Sequence, residues 1–323
     1  MMQHVRSTSR WSFLAGSAAF TAAARVASGQ TTPHLVVSTS AIDGAIGLIS
    51  AQRNGYFRKH GIEVEHVINN GAASAAGVAG GSIALAASNV VTLIKAHLQG
   101  IPFQMVAPSS MYDTSNPTQV LIVRNDAGIR TAADLNGKTI AVTAIGDLLS
   151  AATLAWVDQN GGTSSTVKLV EIPPTAEAAA LAAGRVQAAA LAEPFLSEAL
   201  ADGSVHVFGK IFDAIAPRFL QAAYFGTADY INANPDPVRR FAAALLEGNA
   251  FANAHPDQTL PWLIEFAKID PAVAKRARRE RFGESLDPAL IQVEIDALVR
   301  LKALPRGFDV REMISPVVAN LRA

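Results

Sequence analysis

Apolar and polar positions along the chain fall into short blocks that alternate between two periods. Residues 34–39, with Leu35, Val36 and Val37, predict a strand. Residues 44–56 set Ile46, Ile49 and Ala51 at helical spacing, and Gly55 is placed to end that helix. Residues 62–68 alternate apolar and polar side chains, as a half-exposed strand does. A small-residue helix over 72–78, a buried strand over 82–87, a helix over 89–98 that Ser88 can cap, and a strand over 103–107 follow. This βαβαβαβ series predicts a parallel α/β sheet with helices on both faces.

After a polar, turn-rich segment at 108–117, a strand over 119–123 leaves the first unit and the alternation restarts. Strands fit 139–142, 167–172, 186–191 and 206–208, with helices over 148–159, 176–183 and 194–200. Residues 219–226 read as a strand returning to the first unit. Beyond them the pattern is helical, over 236–255, 258–269, 271–281 and 287–303, with prolines near the starts. The prediction is two α/β lobes joined by a two-strand hinge, crossing near 119–124 and 219–226, with a ligand cleft between them. Residues 30–119 with 224–323 form one lobe and 120–223 the other. A weak internal repeat agrees with two related lobes: Ala79-Gly80-Gly81-Ser82-Ile83-Ala84 resembles Ala183-Gly184-Arg185-Val186-Gln187-Ala188.

The second lobe is organised around residues 132–149. A helical turn over 132–135 and a tight turn at Asn136-Gly137 lead into the strand at 139–142. Residues 143–147 then open the helix that follows. A strand that ends in small residues and opens a helix leaves the first helical N–H groups free, at the positive end of the helix dipole. Such a turn favours an anion or a hydrogen-bond acceptor, so it predicts binding, not reaction.

Composition narrows the chemistry. The 323 residues are half hydrophobic, enough for two full cores. Lys+Arg and Asp+Glu both total 27, which argues against a nucleic-acid partner. There is no cysteine, hence no disulfide, thiolate metal site or cysteine nucleophile. The histidines form no i, i+4 pair, Gly161-Gly162-Thr163-Ser164-Ser165 lacks the lysine of a phosphate-binding loop, and no G-x-S-x-G elbow occurs. No metal and no cofactor is expected. The run Lys275-Arg276-Ala277-Arg278-Arg279-Glu280-Arg281 reads as a solvated helix face, with permease docking as a second role.

Residues 1–29 differ in kind. Arg6, Arg10 and Arg25 occur there without an acid, around an apolar, small-residue stretch at 11–24 and small residues at 26–29. This reads as a secretory signal peptide, too short for a good membrane anchor. Ser9-Arg10-Trp11-Ser12-Phe13-Leu14 approaches a twin-arginine signal, but Trp11 occupies the second arginine position, so both export routes stay open. Without a following cysteine there is no lipid anchor. The expected product is a monomer free in a periplasm.

Three segments carry a resemblance. They are Leu48-Ile49-Ser50-Ala51-Gln52-Arg53-Asn54-Gly55-Tyr56-Phe57 with Gly61-Ile62-Glu63-Val64-Glu65, then Gly128 through Val142, then Ala192-Glu193-Pro194-Phe195. Together they resemble the periplasmic substrate-binding proteins of ABC importers, in the nitrate/sulfonate/taurine and thiamine-precursor branch. The resemblance spans roughly 34–226 and implies a type II periplasmic-binding fold. Its two lobes would close over a small-molecule ligand and hand it to a permease driven by an ATPase. Where the family often has Asp in the strands after glycine, Ala84 and Gln187 stand here. Enzymes that share this fold, a sulfinate desulfinase and a pyrimidine synthase, rely on cysteine. An enzyme on the same fold and a ligand sensor feeding a receptor remain the alternatives to import.

In open α/β sheets ligands sit at the carboxyl ends of strands. That rule selects Ser38, Ser40, Asp43, Ser88, Asn89, Ser109 and Tyr112 from the first lobe, and Thr143, Ile145, Gly146, Asp147 and Glu193 from the second. Tyr224 and Phe225 would wall the cleft at the return crossing. Ser88 and Asn89 suit helix capping equally well, and Asp147 suits an N-terminal helix position favourable with the dipole. Asp43, Asp147 and Glu193, if they face the cleft, repel an anion and favour an amine or a ring N–H donor. No Lys or Arg falls at the strand ends, so a sulfonate or carboxylate would depend on helix N-termini and hydroxyls. The ligand expectation is therefore double: such an anion, or a thiamine-precursor-like heterocycle.

Overall fold

The computed structural model describes residues 32–319 and Leu321, so the signal-peptide expectation lies outside the described residues. The chain opens with β1 (His34–Thr39), α1 (Ile46–Arg53), α2 (Tyr56–Lys59), β2 (Glu63–Ile68), α3 (Gly71–Ala79), β3 (Leu85–Asn89), α4 (Val90–Leu98) and β4 (Phe103–Pro108). A middle section follows: β5 (Ser110–Asp113), β6 (Gln119–Arg124), β7 (Thr139–Val142), α5 (Leu148–Gln159), β8 (Lys168–Glu171), α6 (Pro174–Ala182), β9 (Ala188–Ala192), α7 (Phe195–Leu200) and β10 (Val205–Gly209). It closes with β11 (Arg218–Leu220), β12 (Ala222–Thr227), α8 (Ala228–Ala233), α9 (Pro235–Ala254), α10 (Pro256–Ala267), α11 (Pro271–Arg276), β13 (Arg281–Phe282) and α12 (Ala289–Arg300).

Two five-stranded sheets result, ordered β2-β1-β3-β12-β4 and β10-β6-β9-β7-β8. In the first, β2, β1 and β3 run parallel and β12 is antiparallel to both its neighbours. In the second, β8, β7 and β9 are parallel, while β6 pairs antiparallel with β9 and β10. Central strands read as continuous apolar runs because both faces are covered. Val120, Leu121, Ile122 and Val123 of β6 are all fully buried.

The crossings between the sheets differ from the expected ones. β6 and β12 are interior strands of the two sheets, so neither is a hinge. The chain crosses instead on β5 and returns on β11, and these two strands pair antiparallel, with Arg218 opposite Asp113 and Leu220 opposite Met111. β13 adds to the other edge of β5 and makes a small third sheet, β11-β5-β13. β5 is only four residues long inside a turn-rich segment, too short to show a period.

The expected helix over 271–281 is also shorter. α11 stops at Arg276, Ala277 is extended at φ −64° and ψ 137°, and the chain continues into β13. Farther back, α9 lies against α1 with almost no side chain between them. A Cβ at Gly248 would sit 2.3 Å from the Gly47 carbonyl oxygen and 2.8 Å from the Ala51 nitrogen. Gly248→Ala is therefore expected to lower stability by about 1–3 kcal/mol, the usual cost of overpacking. Gly71→Ala, where a Cβ meets nothing within 4 Å, should leave it unchanged. Urea unfolding of the two variants checks this.

Candidate ligand-binding cleft

A cavity of about 340 Å³ opens at the carboxyl ends of β1 and β3, where Ser40, Ser88 and Asn89 line it beside Ser109 from the end of β4. Its opposite wall is Gln119 at the start of β6, Gln221 before β12, and Glu280. A second cavity of about 420 Å³ shares Ile42, Gln119 and Glu280 with the first. Its walls are mostly apolar, from Phe195, Leu263, Ile269 and Ala274, with Asp43, Glu193, Arg278 and Arg279 at its polar edge. The two adjoin into one cleft that receives side chains from both sheets and from the C-terminal helices.

One ion pair holds this cleft together. Arg279 grips Asp43 as a fork: Nε donates at 3.1 and 2.9 Å to the two carboxylate oxygens and Nη2 at 2.8 Å to Oδ1. The Glu280 backbone N–H donates to Asp43 Oδ2 at 2.7 Å. Arg279 Nη1 also donates to the Pro256 carbonyl at 2.9 Å and Nη2 to Thr259 Oγ1 at 3.3 Å. All three guanidinium nitrogens are thus engaged within the protein, and both side chains keep only 16% exposure. Glu193 accepts from the Ser197 hydroxyl and amide and from the Arg278 backbone N–H at 3.2 Å. Burial pushes its carboxyl up, and those hydrogen bonds partly offset the rise. Arg278 Nη1 donates to the Pro117 carbonyl at 2.9 Å.

Glu280 is the least satisfied group of the cleft. Its Oε2 is buried without a hydrogen-bond partner. Burial first, and then the Asp43 charge, push its carboxyl up to about 8.

Of the expected site residues, Ser40, Ser88, Asn89 and Ser109 meet at the first cavity, and Asp43 and Glu193 at the second. Ser40 and Ser109 already donate to the Asn69 and Gly44 carbonyls, and Asn89 caps α4 by accepting from Thr92. The cap is therefore Asn89, and Ser88 lies inside β3. Ser38 is fully buried, bonded to Ser74 Oγ at 2.8 Å and outside both cavities. Tyr112 is 1% exposed, packed on Phe212 and Phe219, with its hydroxyl donating to Asp213 at 2.7 Å. Tyr224 and Phe225 are core residues, not cleft walls, because β12 is flanked by β3 and β4 and covered on both faces.

The 143–147 turn lines neither cavity, and two of its N–H groups are already taken. Ile145 N–H donates to Glu171 at 2.7 Å, Gly146 N–H to Ser150 Oγ at 2.9 Å, and Asp147 caps α5 by accepting from Ser150 N–H. Thr143 donates to Glu177, and Lys95 from α4 reaches the Gly146 carbonyl. The turn is closed by its own side chains. The sequence reading missed Gln119, Gln221, Arg278, Arg279 and Glu280. The only trace of the last three was the basic run at 275–281, which a helical reading sends to solvent.

Two outcomes follow. Removing either partner of the Asp43–Arg279 fork, in Asp43→Asn or Arg279→Ala, should cost about 2–3 kcal/mol. That is below the roughly 3–5 expected for a fully buried pair, because both groups keep some solvent. A double-mutant cycle in urea should show strong coupling between them. The raised carboxyls set the pH dependence. Glu280 (about 8) and Glu177 (about 7) ionise near 4.5 when unfolded, so each loses stability for the fold as pH rises from that value to its folded pKa. His66, lowered to about 4 by burial, has the opposite sign, but only below about 6.5. Melting temperature should therefore fall between pH 6.5 and 8, less steeply in Glu280→Gln.

A family model described as NMT1/THI5 like matches residues 44–259. An inferred binding protein of Brucella abortus is 23% identical over 283 residues, 81% of this chain and 80% of that protein. An inferred aliphatic sulfonates-binding protein of Bacillus subtilis is 24% identical over 279 residues, 83% of this chain and 82% of that one. The periplasmic aliphatic sulphonate binding protein SsuA from Escherichia coli superposes with a TM-score of 0.72 at 20% identity, covering 88% of this chain and 92% of that chain. The desulfurization enzyme DSZB superposes at 0.66 with 18% identity, over 89% of this chain and 98% of that one. The fold therefore hosts both binding and catalysis. With residues 44–259 matched, the chain belongs to the NMT1/THI5-like family and has the type II periplasmic-binding fold, two α/β lobes about a ligand cleft.

Proposed function

We propose that this protein captures a small polar organic solute in the cleft and delivers it to an ABC import permease and its ATPase, without chemistry. The carrying observation is the cleft itself, two adjoining cavities of about 340 and 420 Å³ lined from both sheets and joined at Gln119 and Glu280. The moving bodies are the lobes built on the two five-stranded sheets, divided at β5 and β11 and not at 119–120 and 223–224, and these paired crossings are the pivot. Ligand that touches both lobes favours the closed population. Residues 1–29 act as the export signal, and the mature protein works as a periplasmic monomer. Among the described residues no helix is long and apolar enough to cross a membrane.

The named relatives are binding proteins, which supports capture over catalysis, and the chain has no cysteine nucleophile. Between the two ligand classes, the nitrogen heterocycle is favoured over the sulfonate. Of the two guanidinium groups at the cleft, Arg279 is occupied by Asp43 and Arg278 donates to the Pro117 carbonyl.

A thermal-shift screen over sulfonates, carboxylates, nitrate, amines and pyrimidines tests this reading. A true ligand at a hundred times its Kd should add about 2.7 kcal/mol of stability. X-ray scattering should show a smaller radius of gyration on binding, and mass spectrometry should recover the ligand unchanged. Turnover of the bound solute would reverse the assignment to the enzyme alternative.

A further inference from the structure

Two side-chain oxygens at the cleft walls are left without partners, the amide oxygen of Gln221 and one carboxyl oxygen of Glu280. Gln221 is 8% exposed and donates through Nε2 to Gln119 at 3.2 Å, while its Oε1 has no partner among the described residues. Glu280 Oε2 is likewise buried and unpartnered, and Glu280 lines both cavities. Neither guanidinium of the cleft supplies the missing donor: Arg279 bonds Asp43, Pro256 and Thr259, and Arg278 bonds the Pro117 carbonyl. An unpartnered buried oxygen is costly, and N–H groups on an occupant would satisfy both the Gln221 amide oxygen and an ionised Glu280.

We propose that Glu280 and Gln221 recognise the N–H donor end of the ligand: a small amine, amidine or protonated nitrogen heterocycle. This rests on the solute-capture reading and names the ligand class for that cleft. The apolar body of the ligand then extends along Phe195, Leu263 and Ile269 in the second cavity. A charged N–H on a carboxylate makes one of the stronger hydrogen bonds. A sulfonate in the same place brings no donor to the Gln221 amide oxygen, which selects against it.

The charged groups facing Glu280 are Asp43 from the connection after β1, Glu193 after β9, and Arg278 and Arg279 from its own segment. Asp43 and Arg279 neutralise one another, and Glu193 accepts from the backbone beside Arg278. With its carboxyl at about 8, Glu280 holds a proton at neutral pH in the free protein. A cationic ligand displaces that proton, so affinity rises with pH up to about 8.

Calorimetry on the purified protein tests this with benzamidine as the cationic probe and benzoate and benzenesulfonate as anions of similar shape. Benzamidine should bind and the anions should not. At pH 7, paired buffers of different ionisation enthalpy should show release of close to one proton. Glu280→Gln should weaken benzamidine at least tenfold and abolish proton release, while Glu177→Gln, another buried carboxyl outside the cleft, should change neither. Anion binding undiminished in Glu280→Gln, with benzamidine inert, overturns the inference and leaves solute capture standing. Failure of all three probes overturns it too, and a hit in the broader solute screen then separates that result from a failure of solute capture.

Discussion

The forked pair between Asp43 and Arg279 is the contact on which the cleft depends. Asp43 sits just after β1, and Arg279 lies 236 residues later, beyond α11. Their bond pulls residues 277–280 out of helical conformation and against the connection between β1 and α1. The same carboxylate takes the Glu280 N–H, which fixes where the Glu280 side chain starts. β13 then follows at once and joins β5, one of the two crossing strands. A single ion pair thus links the cleft wall to the sheet of the crossing strands.

That linkage also sets the electrostatics. An arginine in a cleft is ordinarily read as an anion receptor, yet this one has its nitrogens engaged by Asp43, Pro256 and Thr259. Its charge is cancelled at contact distance, and what it contributes is geometry. Neutralising Asp43 matters equally, because three carboxyls, Asp43, Glu193 and Glu280, otherwise crowd one cavity edge. Glu193 is held by Ser197 and the Arg278 amide, which leaves Glu280 as the group whose demand is unmet.

Local pattern carried much of the fold. The strand at 34–39 and the helix at 148–159 were legible to the residue, since each is a dense apolar block bounded by capping or turn residues. Asp147 was legible as a residue of the helix N-terminus, and the structure makes it the cap. What local pattern could not carry was contact at long range. The hinge strand β5 owes its existence to pairing with β11 and β13, not to its four residues. The basic run at 275–281 has helical composition, and only a carboxylate from the other end of the chain makes it a cleft wall. The turn at 143–147 lines neither cavity, and Glu171 and Ser150 take its Ile145 and Gly146 N–H groups while Asp147 caps α5.

Burial of a carboxyl alone does not make a binding group, and the chain supplies its own comparison. Glu294 in α12 is fully buried with both oxygens unpartnered, and its carboxyl is raised well above the ordinary value. It lines neither cavity of the cleft, so no solute there can relieve it. Glu280 bears the same kind of penalty where two cavities meet, beside a second unpartnered acceptor on Gln221. On the proposed reading, a ligand that supplies donors at that junction offsets the burial penalty of Glu280, which no solute can do for Glu294.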